Sequence, residues 1–361
     1  MTFLYVLAAL LMLGIMVMVH EAGHFFAARL TGIPVKEFAI GFGPKLISWK
    51  SKKHETDISL RLIPAGGFCA FYGEDDVEGK EIKDPRALQN FGVWKRMLTI
   101  IMGPAMNLIM AFVVCMVFYA CTGVTSVTYG ERAQIVEITA DSPAETAGLQ
   151  VGDIIETING EDASGVNEQG QTVHVGEIID AWQEGDAPLE IVVLRNEEKV
   201  TLSVTPNAEG KIGISMIPEE LERKTVYLSI GQLFEASFDE CTYLGGLIFS
   251  SLRDLVFGKA GVDQLSGPVG VVQTVAQQTQ EYGITAYISL LIFISVNLGI
   301  VNLLPVPGLD GSRVIFLLIE AVCRKPVPQK IEAYIHLAGF FLLILLFIVL
   351  TWQDIGRIFG F

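Results

Sequence analysis

Four apolar runs, near residues 2–28, 97–122, 283–309 and 333–353, are each long enough to span a membrane. A helix needs roughly 20 residues to cross about 30 Å of hydrocarbon. Hydrophobic residues make up 51% of the 361-residue chain and charged ones only 18%, so a bilayer is the expected solvent. The expected fold is a polytopic α-helical membrane protein with four transmembrane helices. The first run lacks a basic leading segment, and a His/Glu/His cluster stands where a signal cleavage site would be, so it reads as a retained helix.

Charge asymmetry sets the orientation. Residues 29–96 carry 12 Lys and Arg against 9 acids, whereas residues 123–283 carry 8 against 26. The positive-inside rule places the first segment in the cytoplasm, and Arg313, Arg324, Lys325 and Lys330 put the link after the third run there too. Both termini and the acidic segment then face out. The formal charge of −15 resides in that outer segment, so no nucleic-acid partner is expected. Cys69, Cys115, Cys121, Cys241 and Cys323 show no CxxC spacing and read as isolated thiols.

The chemistry is concentrated in His20-Glu21-Ala22-Gly23-His24, at the end of an otherwise apolar helix. Histidines four apart lie on one helix face about 5.4 Å apart along the axis, so both rings reach a single metal ion, for which zinc is the favoured choice. Glu21 sits beside that ion and serves as the general base toward zinc-bound water. Ionisable groups inside a membrane are costly and read as functional. A catalytic zinc takes a third protein ligand and leaves one position open. In Asn302-Leu303-Leu304-Pro305-Val306-Pro307-Gly308-Leu309-Asp310-Gly311, two prolines break the third span, and Asp310 is its first charge. Broken backbone at membrane depth lines protein or a hydrated cavity, which makes Asp310 the third ligand. His54, His174 and His336 have no partner at ligand spacing and read as surface or interface residues.

After the first helix, Ile40-Gly41-Phe42-Gly43-Pro44, the alternating 56–62 and Ile63-Pro64-Ala65-Gly66-Gly67-Phe68 read as a β-hairpin or strand-and-loop segment over 36–75. It is either an ordinary cytoplasmic loop or a sheet that dips into the bilayer and meets an extended substrate. Gly103-Pro104-Ala105-Met106-Asn107 interrupts the second run. Small residues there permit close packing, and Asn107 reads as an interhelix hydrogen bond ahead of a catalytic role. Residues 221–282 read as amphipathic or connecting helices, lying at the outer face or simply packed.

The outer segment alternates strand, capped short helix, strand and tight turn, with Ser142-Pro143-Ala144, Ala147-Gly148-Leu149, Gly152-Asp153 and Ile158-Asn159-Gly160. That order and spacing resemble a single bacterial-type PDZ domain, over 128–207. It is an α+β domain inserted between the second and third transmembrane helices, with core segments 1–122 before it and 283–361 after the connecting helices.

HExxH in the first span and NxxPxPxxDG in the third resemble the site-2 protease family of intramembrane zinc proteases, closest to the bacterial RseP-type enzymes. The resemblance extends over nearly the whole chain, through the GFG and AGGF loops, the GPAMN helix, Gln264-Leu265-Ser266-Gly267-Pro268-Val269-Gly270, and the last helix with Glu332, His336 and Asp354. It implies a Zn2+-dependent endopeptidase of the inner membrane. Its partner would be a single-span membrane protein such as an anti-sigma factor, cut within its helix after a first extracytoplasmic cleavage. His20, His24 and Asp310 would bind zinc and Glu21 would be the base. Asn302, with Pro305, Pro307, Gly41, Gly43, Gly66 and Gly67, would contact substrate, although an interhelix hydrogen bond accounts for Asn302 as well. The PDZ domain would act as a size filter or as a receptor for a trimmed substrate end. Relatives often carry histidine where Arg313 stands, and some carry two PDZ domains. The competing reading, a non-catalytic scaffold with a structural metal, leaves Glu21 without a purpose.

Overall fold

A computed structural model of the chain describes residues 3–51, 55–73, 84–165, 173–183, 187–259, 261 and 265–359; His54, Gln264 and residues 74–75 of the expected hairpin lie outside them. The chain runs α1 (Phe3–Thr31), β1 (Val35–Lys50), β2 (Asp57–Phe71), α2 (Val93–Thr122), β3 (Val124–Ile138), α3 (Pro143–Thr146), β4 (Ile154–Ile158), β5 (Glu161–Asp162), α4 (Val173–Asp180), β6 (Leu189–Arg195), β7 (Glu198–Val204), β8 (Ile214–Val226), α5 (Ile230–Val256), α6 (Pro268–Asn302), α7 (Asp310–Cys323) and α8 (Gln329–Phe359). Two compact units result: Thr122–Tyr227, and Met1–Cys121 together with Leu228–Phe361.

In the helical unit, α1, α2, α6 and α8 are long and apolar enough to cross a membrane. Four boundaries differ from expectation. The third long helix starts at Pro268, so residues 268–282 are its first arm; the break comes at Gly283 (φ 71°, ψ −151°), where the apolar run begins. It ends at Asn302, short of 309, because Pro305 and Pro307 cannot continue it. Residues 310–323, within the expected basic link, form α7, and residues 221–226 belong to β8, paired with the start of β3.

Apolar burial contributes little between helices in hydrocarbon, so association there rests on close packing and hydrogen bonds. Ala9, Met12 and Met16 of α1 meet Val275 and Leu291 of α6 and Met110 of α2. The Tyr287 hydroxyl donates to the Ala8 carbonyl at 3.1 Å, and the Ser295 hydroxyl to the Asn107 carbonyl at 3.0 Å. α5 packs Cys241, Leu244, Ile248 and Leu252 against α2 and α6. The buried Arg96 of α2 donates to Glu320 of α7, tying the helix that carries Asp310 to the bundle.

β1 and β2 are longer than ordinary strands because each bends in the middle, near Gly41–Gly43 and near Pro64–Gly66. Four segments result. Residues 35–40 pair on one side with 67–71 and on the other with 57–60, and 45–50 pair with 57–61. Ala28, Ile33, Val35, Phe71 and Leu88 bury this sheet against the end of α1.

The other unit has a six-stranded sheet in the order β7-β6-β4-β3-β8, with β5 beside β4, around Ile135, Ile155, Ile158, Val175, Ile191, Val193 and Val204. Ser142 caps α3 by accepting the Glu145 amide, and Asn159-Gly160 turns with both φ positive, as the motif spacing predicts. Asp153, at 1% exposure, accepts two hydrogen bonds from Arg195, each 2.7 Å. That partner raises the guanidinium's pKa above its ordinary value.

The last helix reaches back to fasten α6. Asp354, 2% exposed, accepts the amides of Gly267 and Gly270 at 3.1 and 2.7 Å, filling the cap position that Gly267 has no side chain to fill. Asp354→Ala is expected to destabilise the helical unit by about 1–3 kcal/mol, because two buried amides lose their acceptor. Thermal unfolding in detergent checks this, and an unchanged midpoint would show that the clamp contributes nothing.

Candidate metal centre

The helical period of α1 turns His20 and His24 to the same side, and both are buried, at 8% and 7% exposure. Their Nε2 atoms lie 3.2 Å apart. The Oδ2 of Asp310 lies 3.0 Å from the first and 3.3 Å from the second. Asp310 is delivered there by the proline turn after α6. It opens α7, where a carboxylate complements the positive end of the helix.

His24 Nδ1 donates to the Thr99 carbonyl at 2.9 Å, so its Nε2 holds a lone pair directed at the other two ligand atoms. This contact requires α1 and α2 to approach closely. A Cβ at Gly103 would run into the His24 ring, and one at Gly23 would run into the Met102 carbonyl.

Two nitrogens and a carboxylate oxygen within 4.8 Å of one another fit zinc. At Zn–N and Zn–O bonds of about 2.0–2.2 Å, tetrahedral ligands sit roughly 3.3 Å apart, leaving a fourth position open. The spacing found here matches without rearrangement. The candidate ligands expected from the motifs are therefore brought together, although separated by 290 positions in the chain.

Glu21 is held from the hairpin side, where the Cys69 amide donates to its Oε2 at 2.9 Å. Cys69 lies in segment 67–71, beyond which no further strand pairs among the described residues. Gly66 and Gly67 are buried in or beside that segment, and a Cβ at Gly66 would press on Phe42 and on Val17 of α1. Gly41 and Gly43, with φ of 87° and 85°, stand at the bend of β1. Asn302 ends α6, half-buried, its amide without a partner among the described residues. Pro305 is exposed and Pro307 half-buried, with the Pro307 carbonyl packed on Gly339 of α8.

Three contacts were not visible as site features in the sequence: the Thr99 carbonyl, the Cys69 amide, and Asn107, whose side chain lies 3.2 Å from His20 Nδ1. Asn107 does make an interhelix bond, and its partner is a candidate ligand. Its signal was a polar residue four positions after Gly103 in an apolar helix. His336 packs on Phe316 and stays apart from the centre, as do Glu332 and Asp354; nothing is described of the His174 side chain. Cys69, Cys115, Cys121, Cys241 and Cys323 form no disulfide.

The model of the Peptidase family M50 matches residues 8–346. The chain belongs to peptidase family M50. The zinc metalloprotease RasP of Bacillus licheniformis is 31% identical over 98% of this chain and 99% of its own. The regulator of sigma-W protease RasP of Bacillus subtilis matches with the same identity and coverage. The zinc metalloprotease RasP of Geobacillus kaustophilus is 31% identical over 98% of each chain. Among solved structures, the PDZ domain of HtrA3 covers 26% of this chain at 20% identity and a TM-score of 0.16, too low a likeness to bear on the fold. This M50 peptidase is thus a zinc metalloprotease with four helices long and apolar enough to cross a membrane.

Gly103→Val is expected to displace the His24 ring and to cut zinc content sharply. Gly92→Val, in open space, is expected to leave it unchanged. Metal analysis of the detergent-purified variants checks both, and full occupancy in Gly103→Val would show that the close approach is dispensable.

Proposed function

We propose that this M50 peptidase cleaves transmembrane segments of single-span membrane proteins of the anti-sigma-factor kind, after an earlier extracytoplasmic cut. The observation that carries this reading is the convergence of His20, His24 and Asp310 beside a Glu21 anchored by a main-chain amide of the hairpin sheet. His20, His24 and Asp310 would hold the ion, which when bound supplies a Lewis acid and lowers the pKa of water. Glu21 accepts the proton from the attacking water and passes it to the leaving amine. The Cys69 amide fixes one carboxylate oxygen, which leaves the other for that proton.

A helical substrate hides its carbonyls in internal hydrogen bonds, so it must unwind before attack. Segment 67–71 pairs with 35–40 and touches Glu21 through the Cys69 amide, and an extended peptide laid along this sheet runs past the base. Phe42, Leu46, Ile47, Trp49, Leu62 and Ile63 are exposed on the same sheet, which suits insertion among acyl chains. The free Asn302 amide would hold the peptide or polarise its carbonyl, with Pro305 and Pro307 shaping the wall.

The orientation follows the charge asymmetry: hairpin and α7 inside, the Thr122–Tyr227 unit and both termini outside. Its support is that only α2 lies between α1 and α6 as a span, so the two run in the same direction in such a topology, and both lead into the metal centre at their C-terminal ends. The Thr122–Tyr227 unit is read as one PDZ domain that either excludes bulky outer domains or receives a trimmed end.

Glu21→Gln is expected to abolish cleavage of a co-expressed single-span substrate while retaining zinc, whereas Asp310→Ala is expected to lose both. Product analysis and metal content check this pair. Cleavage by Glu21→Gln would end the proposed base role, and full zinc in Asp310→Ala would remove it from the ligands.

A further inference from the structure

A histidine that binds a metal through Nε2 must carry its proton on Nδ1, and the atom facing Nδ1 must then be an acceptor. For His24 that acceptor is the Thr99 carbonyl. For His20 the facing group is the side-chain amide of Asn107, 3.2 Å from Nδ1 and fully buried. Ser295 of α6 donates to the Asn107 main-chain carbonyl, so the backbone at this position is held from a third helix.

As the amide stands, Nδ2 faces the ring, and Oδ1 is buried without any hydrogen bond. Oxygen and nitrogen of an amide are nearly the same in size, so a half-turn exchanges their places with almost no change in the space filled. In the present orientation the ring would have to accept at Nδ1, and Nε2 would carry the proton and be unable to ligate. In the turned orientation the orphaned Oδ1 accepts from Nδ1–H and the Nε2 lone pair faces Asp310 and His24 Nε2. The unpartnered place passes to the amide NH2. The exchange is favourable because an imidazole that has given its lone pair to a cation is the stronger donor.

We propose that Asn107 is a positioning residue of the zinc site, and that its side-chain oxygen fixes the His20 tautomer as Thr99 fixes that of His24. The proposal rests on the reading of His20, His24 and Asp310 as ligands. On it, α2 supplies no ligand yet sets the tautomer of both histidines.

The test is zinc affinity, measured by chelator competition on detergent-purified wild type, Asn107→Leu, Asn107→Asp and His20→Ala. Asn107→Leu, close in size but without an acceptor, is expected to bind zinc about 10–100-fold more weakly. Asn107→Asp is expected to stay near wild type, because a carboxylate accepts as the amide oxygen does. An unchanged affinity in Asn107→Leu overturns the proposal. So does an Asn107→Asp that falls as far as Asn107→Leu, since that pattern belongs to an amide that must donate. Should Asn107→Leu fail to fold, Asn107→Asp decides alone: retained affinity supports the role, and a loss beyond tenfold overturns it. His20→Ala separates the two levels. If it binds zinc like wild type, the ligand reading itself is wrong; if it loses zinc while Asn107→Leu does not, only the role of Asn107 falls.

Discussion

An imidazole buried in an apolar helix has two ring nitrogens to satisfy, and the second helix meets that demand. Gly23 and Gly103 remove the side chains that would hold α1 and α2 apart, and the Thr99 carbonyl then reaches His24. One nitrogen of each histidine is occupied by α2, and the other is left facing inward. Asp310 can complete the centre only because those inward atoms already point to one place. An added methyl at either glycine would strike backbone or ring, so the tolerance here is well under a bond length.

The carboxylate arrives by a different logic. α6 must end inside the bundle, and Pro305 and Pro307 end it with a turn that swings the next helix start toward the histidines. Gly339 lets α8 lie directly on the Pro307 carbonyl, and the Arg96–Glu320 pair holds α7 from the opposite side. Glu21 is oriented by none of these helices. A sheet amide does that, so the element that bends at Gly41–Gly43 and Pro64–Gly66 both shapes the strand edge and aims the carboxylate.

The four apolar helices, the proline break and the three residues that converge as candidate ligands were legible because each left a local mark: length, helix breaking, or charge where charge is costly. The turn at Asn159-Gly160 and the cap at Ser142 were legible for the same reason. Residues 268–282 read as part of the connecting helices, but their continuity with the third span was not legible, because the polar Gln277, Gln278 and Gln280 mask an apolar side that meets α1 through Val271 and Val275. α7 was hidden by the basic residues around it. The partners of the histidines were hidden in a stricter sense: a main-chain carbonyl such as that of Thr99 has no sequence signature, and Asn107 reads as any polar residue in a bundle.

The α1–α2 contact also bears on how such a centre can be made. Translation delivers α1 first, with two histidines and a glutamate that lipid would penalise, and Asp310 only after most of the chain has emerged. Because both Nδ1 partners and the Cys69 amide come from the segments next in line, the first hairpin of helices can enter the bilayer with much of its polar burden already met.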